Sequence, residues 1–310
     1  MTAIDSELLL IDSDAAGTVN GHVGQVNEGL ADHGAVLLRG FSVDSPEALH
    51  RAASVICERL YGGYADLPEL DAVTEVYRAT PYPPDAVIEF HNEGSHLERW
   101  PTRQFLACRT PARSGGETVV ADGRRVLAEL ESEIVSELRD RGLCYVRHFH
   151  EGFDVPWQQF FGTEDRAAVP ALCERQGLAA RWLPPSGTLR VERPAPAFRP
   201  HVVSGEVLPF HQILLFHPAM LPEDLRELLA EALPADEPAR DVTYGDGGAI
   251  PDEVVTRIRE VYESVAVAVA WERGDLLVID NQRVAHSRRP YSGPRELFVA
   301  MGDMETVPRS

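Results

Sequence analysis

The sequence predicts a mainly β fold with inserted helices, a β-sandwich or jelly roll. Short strand-like runs rich in β-branched and aromatic residues are concentrated towards both ends of the chain. A helical and proline-rich stretch lies between them, roughly over residues 124–265. Because strands and helices do not alternate regularly, a doubly wound parallel sheet is disfavoured. Terminal strands with helices between them favour a sandwich or jelly roll that carries a helical insertion.

The strand signal recurs along most of the chain. It is carried by residues 34–41, 75–80, 86–93, 103–110, 117–122, 143–149, 207–216, 274–280 and 295–302. A chain of 310 residues is long enough for one large domain or two medium ones. No fixed-period repeat and no low-complexity linker divides it, so we expect a single domain over residues 1–310.

Three segments show helical patterns. In residues 124–141 the apolar side chains recur on one helical face, at Val126, Leu127, Leu130, Ile134, Val135 and Leu138. Residues 222–233 and 251–265 each begin with a proline, which is favoured in the first turn of a helix. These segments supply the predicted helical insertion.

The charge balance excludes several classes of partner and chemistry. There are 49 acidic and 29 basic residues, which give a formal net charge of −20. Such a field repels phosphate backbones and anionic lipids, so we expect neither a nucleic acid nor a membrane as partner. All the basic residues are Arg, and without Lys there is no Schiff-base nucleophile, pyridoxal-phosphate anchor or P-loop lysine.

Cysteine usage and the N-terminus predict a cytoplasmic protein. The four cysteines are Cys57, Cys108, Cys144 and Cys173. They are far apart and form no C-x-x-C pair, so the spacings of zinc fingers and iron–sulfur sites are missing. We expect buried, reduced thiols. The first 17 residues lack the cationic start of a signal peptide, and no run of 18 apolar residues follows.

One polar constellation points to a metal. His91 and Glu93 end an apolar, strand-like run, and residues i and i+2 of a strand face the same side. His286 follows another apolar run and offers a third ligand. Two histidines and one carboxylate are the ligand set of non-heme Fe(II) oxygenases. On spacing alone, the H-x-E pattern is a weak signal, and an exposed polar strand end is the favoured interpretation.

A second metal hypothesis uses the E-x-x-H spacing of di-iron helical bundles. Glu47/His50 and Glu93/His96 both have this spacing. The motif requires two helices, and the second copy contains Gly94 directly after a β-rich run. The mononuclear hypothesis is therefore favoured.

Longer segments resemble a known family. HNEGSHLERWPTRQFLACRTPARSGGETVVADGRRVL (91–127) and WERGDLLVIDNQRVAHSRRPYSGPRELFVAM (271–301) are similar to the taurine dioxygenase/clavaminate synthase-like superfamily of Fe(II)/2-oxoglutarate oxygenases. The likeness extends through 145–169, 208–212 and 244–250, and it is greatest to the syringomycin-type amino-acid hydroxylases. The resemblance implies a double-stranded β-helix, Fe(II), 2-oxoglutarate and O2.

The resemblance also implies roles for individual residues. It places the metal ligands at His91, Glu93 and His286, and the cosubstrate's distal carboxylate on Arg295 and Thr118. Arg288 and Arg289 are expected in the turn before the last strand, either solvated or facing substrate. His96 and His211 replace a Tyr and an Asn that are common among relatives, so each is open to a packing role or to a role in the site.

The resemblance leaves the substrate less defined. Related halogenases replace the carboxylate ligand, so Glu93 favours hydroxylation or desaturation. We expect an amino-acid-like small-molecule substrate, either free or carried by a peptidyl carrier protein. Where some relatives have an anion-binding Arg this chain has Val299, so the substrate carboxylate is either masked or bound elsewhere, for example by Arg78 or Arg99. The alternatives are a desaturase, an epoxidase or a non-catalytic jelly-roll binding protein.

Overall fold

A computed structural model describes residues 2–5, 8–13, 18–62, 69–71, 75–79, 82–151 and 155–306. Its strands are β1 (Thr2–Asp5), β2 (Leu8–Asp12), β3 (Ala35–Arg39), β4 (Glu69–Asp71), β5 (Val76–Arg78), β6 (Ile88–His91), β7 (Arg99–Thr110), β8 (Ser114–Gly115), β9 (Thr118–Asp122), β10 (Leu143–Phe149), β11 (Ala179–Trp182), β12 (Leu189–Ala195), β13 (Phe198–Pro200), β14 (Val207–Pro209), β15 (Arg240–Tyr244), β16 (Val267–Val269), β17 (Leu276–Asp280), β18 (Val284–Arg288), β19 (Tyr291–Ser292) and β20 (Glu296–Thr306). Its α-helices are α1 (Val23–His33), α2 (Pro46–Ile56), α3 (Gly123–Glu129), α4 (Ser132–Arg141), α5 (Trp157–Phe161), α6 (Val169–Arg175), α7 (Ile213–Phe216), α8 (Glu223–Ala232) and α9 (Asp252–Val265). Short 3-10 helices span Val19–His22 and Pro218–Met220. Residue 80, the end of one predicted strand, and residues 1, 6–7 and 14–17 of the N-terminal stretch lie outside the described residues.

The largest sheet has the strand order β1-β2-β3-β17-β7-β20-β5-β4. Its pairings are antiparallel except for β2 with β3. β17 lies inside this sheet and is buried along its whole length, as its uninterrupted apolar run predicts. One face of the sheet packs on α1 and α2 through a cluster that includes Val26, Leu49 and Phe105.

A second sheet, β16-β9-β18-β6, faces the other side of the first. Leu37, Leu106 and Leu277 of the large sheet pack in one cluster with Val120 and Val284 of the second. Two sheets joined by an apolar interior confirm the prediction of a sheet-rich fold with a sandwich-like core. β6 and β18 carry the candidate metal ligands, and the second sheet therefore positions the site.

Residues 124–265 contain α3 to α9 and, in addition, an antiparallel sheet with the order β11-β12-β10-β15. This insertion sheet packs beside the second sheet, where Leu143 and Tyr145 of β10 join Phe90 of β6 in one buried cluster. The sequence analysis predicted one of its strands, residues 143–149, with the observed bounds.

Two segments differ from their predicted structure. The predicted strand 207–216 is β14 followed by a turn and α7, because the side chains of Asn92 and Tyr145 accept the backbone N–H groups of His211 and Gln212 at 3.3 and 2.8 Å. The predicted helix 124–141 is two helices, since Leu130 leaves the helical conformation and enters the core. In both cases tertiary contacts replace the local hydrogen-bond pattern.

Among the described residues, none of the helices is both long and apolar enough to cross a membrane.

Candidate metal and cosubstrate site

Three side chains converge at the edge of the second sheet. One ligand atom from each of His91, Glu93 and His286 lies within 4.8 Å of the others. The antiparallel pairing of β6 with β18 sets His286 directly opposite His91, with the ring centroids 4.2 Å apart. The structure therefore brings together the three residues that the sequence analysis selected.

Glu93 reaches the cluster by a different route from the predicted one. β6 ends at His91, so Glu93 lies in the following turn and not on the strand. The turn is fixed by the fully buried Asn281, whose Oδ1 accepts the Glu93 N–H at 2.7 Å. Asn281 Nδ2 donates to the carbonyl oxygens of Glu93 and Pro101 at 2.9 and 2.7 Å. Gln104 Nε2 donates to Glu93 Oε2 at 3.4 Å.

The turn also bears on the second metal hypothesis. Glu47 and His50 lie on α2, but Glu93 and His96 lie in the turn after β6. The di-iron motif requires both E-x-x-H copies to lie on helices, and the second copy does not.

The donor atoms suit a divalent metal. His91 Nδ1 lies 2.8 Å from the Glu89 carbonyl oxygen, which can only accept, so Nδ1 donates this bond and Nε2 is the nitrogen that can bind a metal. That Nε2 lies 3.9 Å from Glu93 Oε2. Burial, and secondarily His91, lower the pKa of His286 well below its usual range, which keeps the ring neutral as a metal ligand must be. His286 Nδ1 is buried without a hydrogen-bond partner in the described chain. Two imidazoles and a carboxylate fit Fe(II).

A small cavity of about 60 Å³ extends from the three ligands between the two sheets. Thr118, Arg288, Arg295 and Val299 are among its lining residues. Val299 thus faces the same cavity as Arg295, as predicted, although β20 begins at Glu296 and Arg295 lies one residue before it.

Arg295 has the surroundings of an anion-binding residue. Its Nε donates to the Gly116 carbonyl at 3.0 Å, and its guanidinium lies 5.4 Å from the centroid of the Tyr291 ring. Burial, and then the nearby Arg288, lower its pKa to about 10. No ion pair reaches Arg295 from any described carboxylate. A half-buried guanidinium of this kind is matched by an incoming carboxylate, and 2-oxoglutarate carries one at its far end.

Thr118 is prepared to donate a hydrogen bond into the same cavity. Its Oγ1 accepts the indole N–H of Trp271 at 3.2 Å. Because that contact uses a lone pair of the oxygen, the hydroxyl proton stays available for a carboxylate.

The expectation that Arg288 lies in a solvated turn was wrong, but Arg288 does line the small cavity. Arg288 is part of β18, is buried, and its Nη2 donates to the carbonyl oxygens of Pro83 and Ala86 at 2.7 and 2.6 Å. It therefore ties the segment before β6 to β18 and is not solvated. Arg289 is half-buried and forms an ion pair with Glu263 on α9.

A second, larger cavity of about 510 Å³ opens on the other side of the ligands. Ile88, His91 and Glu93 line both cavities, so the candidate metal site lies where they meet. His96 lines the larger cavity, with its ring 5.2 Å from Phe216.

The other residues considered from the sequence lie differently. Arg99 lines the larger cavity, whereas Arg78 is exposed on β5 and lines neither cavity. His211 is buried, and its ring centroid lies 6.0 Å from that of Tyr262. Burial lowers the pKa of His211 to about 4. It is a packing residue.

Comparison with known proteins decides the family. A model of the taurine catabolism dioxygenase TauD, TfdA family matches residues 13–301. This chain belongs to the TauD/TfdA family. The dapdiamide synthesis protein DdaC of Enterobacter agglomerans is 34% identical over 279 residues, which cover 90% of this chain and 84% of that protein. A clavaminate synthase-like protein of Arabidopsis thaliana is 30% identical over 283 residues, which cover 88% of this chain and 82% of that protein. The crystal structure of PvcB from Pseudomonas aeruginosa shares the fold, with a TM-score of 0.57 at 17% identity over 96% of this chain and 86% of PvcB.

Membership of the TauD/TfdA family confirms the resemblance seen in the sequence. Together with the His91, Glu93 and His286 cluster, it makes the protein an Fe(II)/2-oxoglutarate-dependent dioxygenase that uses O2.

Sequence reasoning missed the residues that support this TauD/TfdA site. Asn281 is one of four consecutive polar residues between two apolar strands, 280–283, and this unusual run was a usable signal. Trp271 and Gln104 gave no signal, because their contacts with Thr118 and Glu93 join segments far apart in the chain.

Proposed function

We propose that this dioxygenase hydroxylates an unactivated C–H bond of an amino acid, or of an amino-acid-derived intermediate, in natural-product biosynthesis. The substrate class is supported by the similarity to a protein named for dapdiamide synthesis. The fold proposed for the chain is a single-domain double-stranded β-helix that carries the insertion of residues 124–265.

The observation that carries the proposal is the meeting of two cavities at His91 and Glu93. We assign the metal to His91, Glu93 and His286. The small cavity, with Arg295 and Thr118, suits the far carboxylate of 2-oxoglutarate. The larger cavity, which is mostly apolar, suits an organic substrate whose C–H bond faces the metal.

The protein's own groups supply binding and placement. The bound Fe(II), 2-oxoglutarate and O2 together supply the oxidising chemistry, in which the cosubstrate becomes succinate and CO2 and one oxygen atom enters the substrate. His91 presents Nε2 because the Glu89 carbonyl holds the Nδ1 proton. Asn281 fixes the backbone of Glu93, and Arg295 with Thr118 fixes the cosubstrate in one orientation. The apolar walls keep water from the reacting centre.

Two features guide the choice of reaction and substrate. A carboxylate at position 93 leaves no vacant place for a halide among the three protein ligands, which supports hydroxylation over halogenation. Val299 offers no charge to a substrate anion in the small cavity. A substrate presented as a thioester on a peptidyl carrier protein would meet this condition, and so would a free acid whose carboxylate lies in the larger cavity.

Two measurements test the proposal. Anaerobic protein with Fe(II) and 2-oxoglutarate should develop a visible metal-to-ligand charge-transfer band, whereas a metal-binding jelly roll that does not use 2-oxoglutarate would lack it. Amino acids, free and carrier-loaded, are then screened for succinate release coupled to a product 16 mass units heavier, the mass of one oxygen atom. A product two mass units lighter, the mass of two hydrogen atoms, would show desaturation and contradict the assignment. A band without turnover on any amino-acid-derived substrate would contradict the substrate class.

A further inference from the structure

One side-chain amide lies at the metal end of the larger cavity. Gln212 directly precedes α7, is 2% exposed and is among the residues that line this cavity. Its Nε2 donates to the carbonyl oxygen of Asn92 at 3.1 Å, and Asn92 is the residue between His91 and Glu93 in the chain. The Asn92 N–H in turn donates to the His211 carbonyl oxygen at 3.2 Å. Gln212 is therefore attached to the turn that presents the proposed metal ligands.

The contacts of Gln212 fix the orientation of its side chain. The Asn92 carbonyl oxygen can only accept, so it faces the amide nitrogen, and Oε1 is left at the other end of the planar group. The backbone is held as well, because the Gln212 N–H donates to the Tyr145 hydroxyl oxygen at 2.8 Å. The Gln212 carbonyl oxygen accepts the N–H groups of Leu215 and Phe216, both at 3.1 Å. The amide is therefore preorganised, with its acceptor atom in a defined place.

The amide oxygen of Gln212 is the atom that these contacts leave unused. Among the described residues, none donates a hydrogen bond to Gln212 Oε1. This oxygen is also not one of the fully enclosed polar atoms without a partner, a group that includes Gln104 Oε1 and Ser287 Oγ. Because Gln212 lines the larger cavity, its Oε1 is open to that cavity and can accept a hydrogen bond from a ligand.

Apolar and aromatic side chains surround this acceptor. Leu215 and Phe216 line the same part of the cavity, and the ring centroids of Phe216 and Tyr145 are 5.0 Å apart. A ligand that fills this space excludes water, so a carbon atom placed against Oε1 would leave the acceptor buried and unpaired. A ligand with a hydrogen-bond donor at that position avoids this cost. A site of this kind discriminates strongly against an analogue that lacks the donor.

We propose that Gln212 Oε1 accepts a hydrogen bond from the nitrogen of the amino-acid part of the substrate, and so determines which substrate carbon lies nearest the metal. The inference rests on the proposed function, because it takes the larger cavity as the site of an amino-acid-derived substrate. The donor is an N–H group, either of a free α-ammonium group or of an amide when this nitrogen is acylated. Since Asn92 attaches Gln212 to the turn between His91 and Glu93, the carbons adjoining the nitrogen are held close to the metal.

Probes that differ only at the nitrogen test this contact. Protein with Fe(II) and saturating 2-oxoglutarate is titrated anaerobically by calorimetry with methyl esters of leucine, methionine, phenylalanine and glutamine, which carry no carboxylate of their own. Each ester is used as the free amine and its N-trimethyl derivative, and as the N-acetyl and N-acetyl-N-methyl derivatives. In at least one pair the N–H member should bind tenfold or more tightly, about 1.4 kcal/mol. The pair that discriminates identifies the donor as an ammonium group or an amide.

Variants separate the hydrogen bond from the bulk of the added methyl groups. Gln212→Met has a side chain of similar length without an amide oxygen, so it should remove most of the discrimination, whereas a steric effect would persist in it. Gln176→Met is the matched control, because Gln176 lines the same cavity from the exposed end of α6 and should not contact the nitrogen. Thermal unfolding and the charge-transfer band check that both variants are folded with an intact metal site.

The outcomes distinguish this inference from the proposed function. Equal binding of both members of every pair by the wild type would overturn the role of Gln212, and so would discrimination that survives in Gln212→Met. Failure of every ester to bind would contradict the amino-acid substrate class and, with it, the inference. A missing charge-transfer band would instead refute the use of 2-oxoglutarate, since that band needs no substrate.

Discussion

Replacing Asn281 by alanine should weaken metal binding although Asn281 is not assigned as a ligand. Its fully buried side chain makes three hydrogen bonds to the main chain, with Glu93 N–H, Glu93 C=O and Pro101 C=O at 2.7, 2.9 and 2.7 Å. Asn281→Ala leaves all three backbone groups without this partner. Two of them belong to the residue that presents the carboxylate, so the turn after β6 loses its fixed geometry.

The size of the effect follows from these contacts. A buried polar group left without a partner costs about 1–3 kcal/mol, so three groups cost roughly 3–9 kcal/mol. Water entering the vacated space would satisfy some of them, which puts the expected loss in unfolding free energy near the lower end, about 3 kcal/mol. Loss of an outer residue that orients a ligand lowers metal affinity by roughly 10–100-fold.

Two measurements separate positioning from stability. Urea unfolding gives the free energy, and anaerobic Fe(II) titration in the presence of 2-oxoglutarate gives the affinity. The control is Leu49→Ala, in α2 and buried in the cluster on the far face of the large sheet, which should lose about 2–5 kcal/mol of stability. It should nevertheless bind Fe(II) normally. If both variants show the same metal affinity, Asn281 does not position the carboxylate.

Three further predictions concern the ligands, the cosubstrate and pH. Alanine substitution of His91, Glu93 or His286, the three proposed metal ligands, should abolish turnover in a folded protein and prevent the charge-transfer band. The reason is that the two remaining ligands would hold the metal poorly. Normal hydroxylation by Glu93→Ala would refute the assignment, whereas chloride-dependent halogenation by it would support it. Arg295→Ala should raise the KM for 2-oxoglutarate about thirtyfold or more, by analogy with the roughly 2–5 kcal/mol lost on breaking a buried charge pair. Arg289→Ala, which removes the ion pair with Glu263, should leave that KM unchanged, and equal effects of the two would count against Arg295. Because burial lowers the pKa of His211 from 6.5 to about 4, the unfolded chain binds more protons between these pH values. The unfolding free energy of the metal-free protein should then fall with falling pH, by up to about 1.4 kcal/mol per pH unit from this residue, and urea titrations of His211→Asn should show a shallower fall.

The three clustered residues could be selected from the sequence because only a few residue types can bind a metal, whatever the local structure around them. His91 and His286 lie on apolar strands, and such strands are recognised from their composition. The i and i+2 argument for Glu93 selected a residue that does join the cluster, but the strand geometry behind it was wrong. β6 ends before position 93, and where it ends depends on Asn281, 188 residues further along the chain.

The remaining errors share a physical cause, which is that a partner remote in sequence replaces a local interaction. Residues 207–216 have the composition of a strand, yet Asn92 and Tyr145 take the hydrogen bonds that would continue the ladder. Arg288 follows an apolar run and precedes a proline-containing turn, so we expected it in that turn, either solvated or facing substrate. Backbone carbonyls of Pro83 and Ala86, from a separate segment, allow its burial.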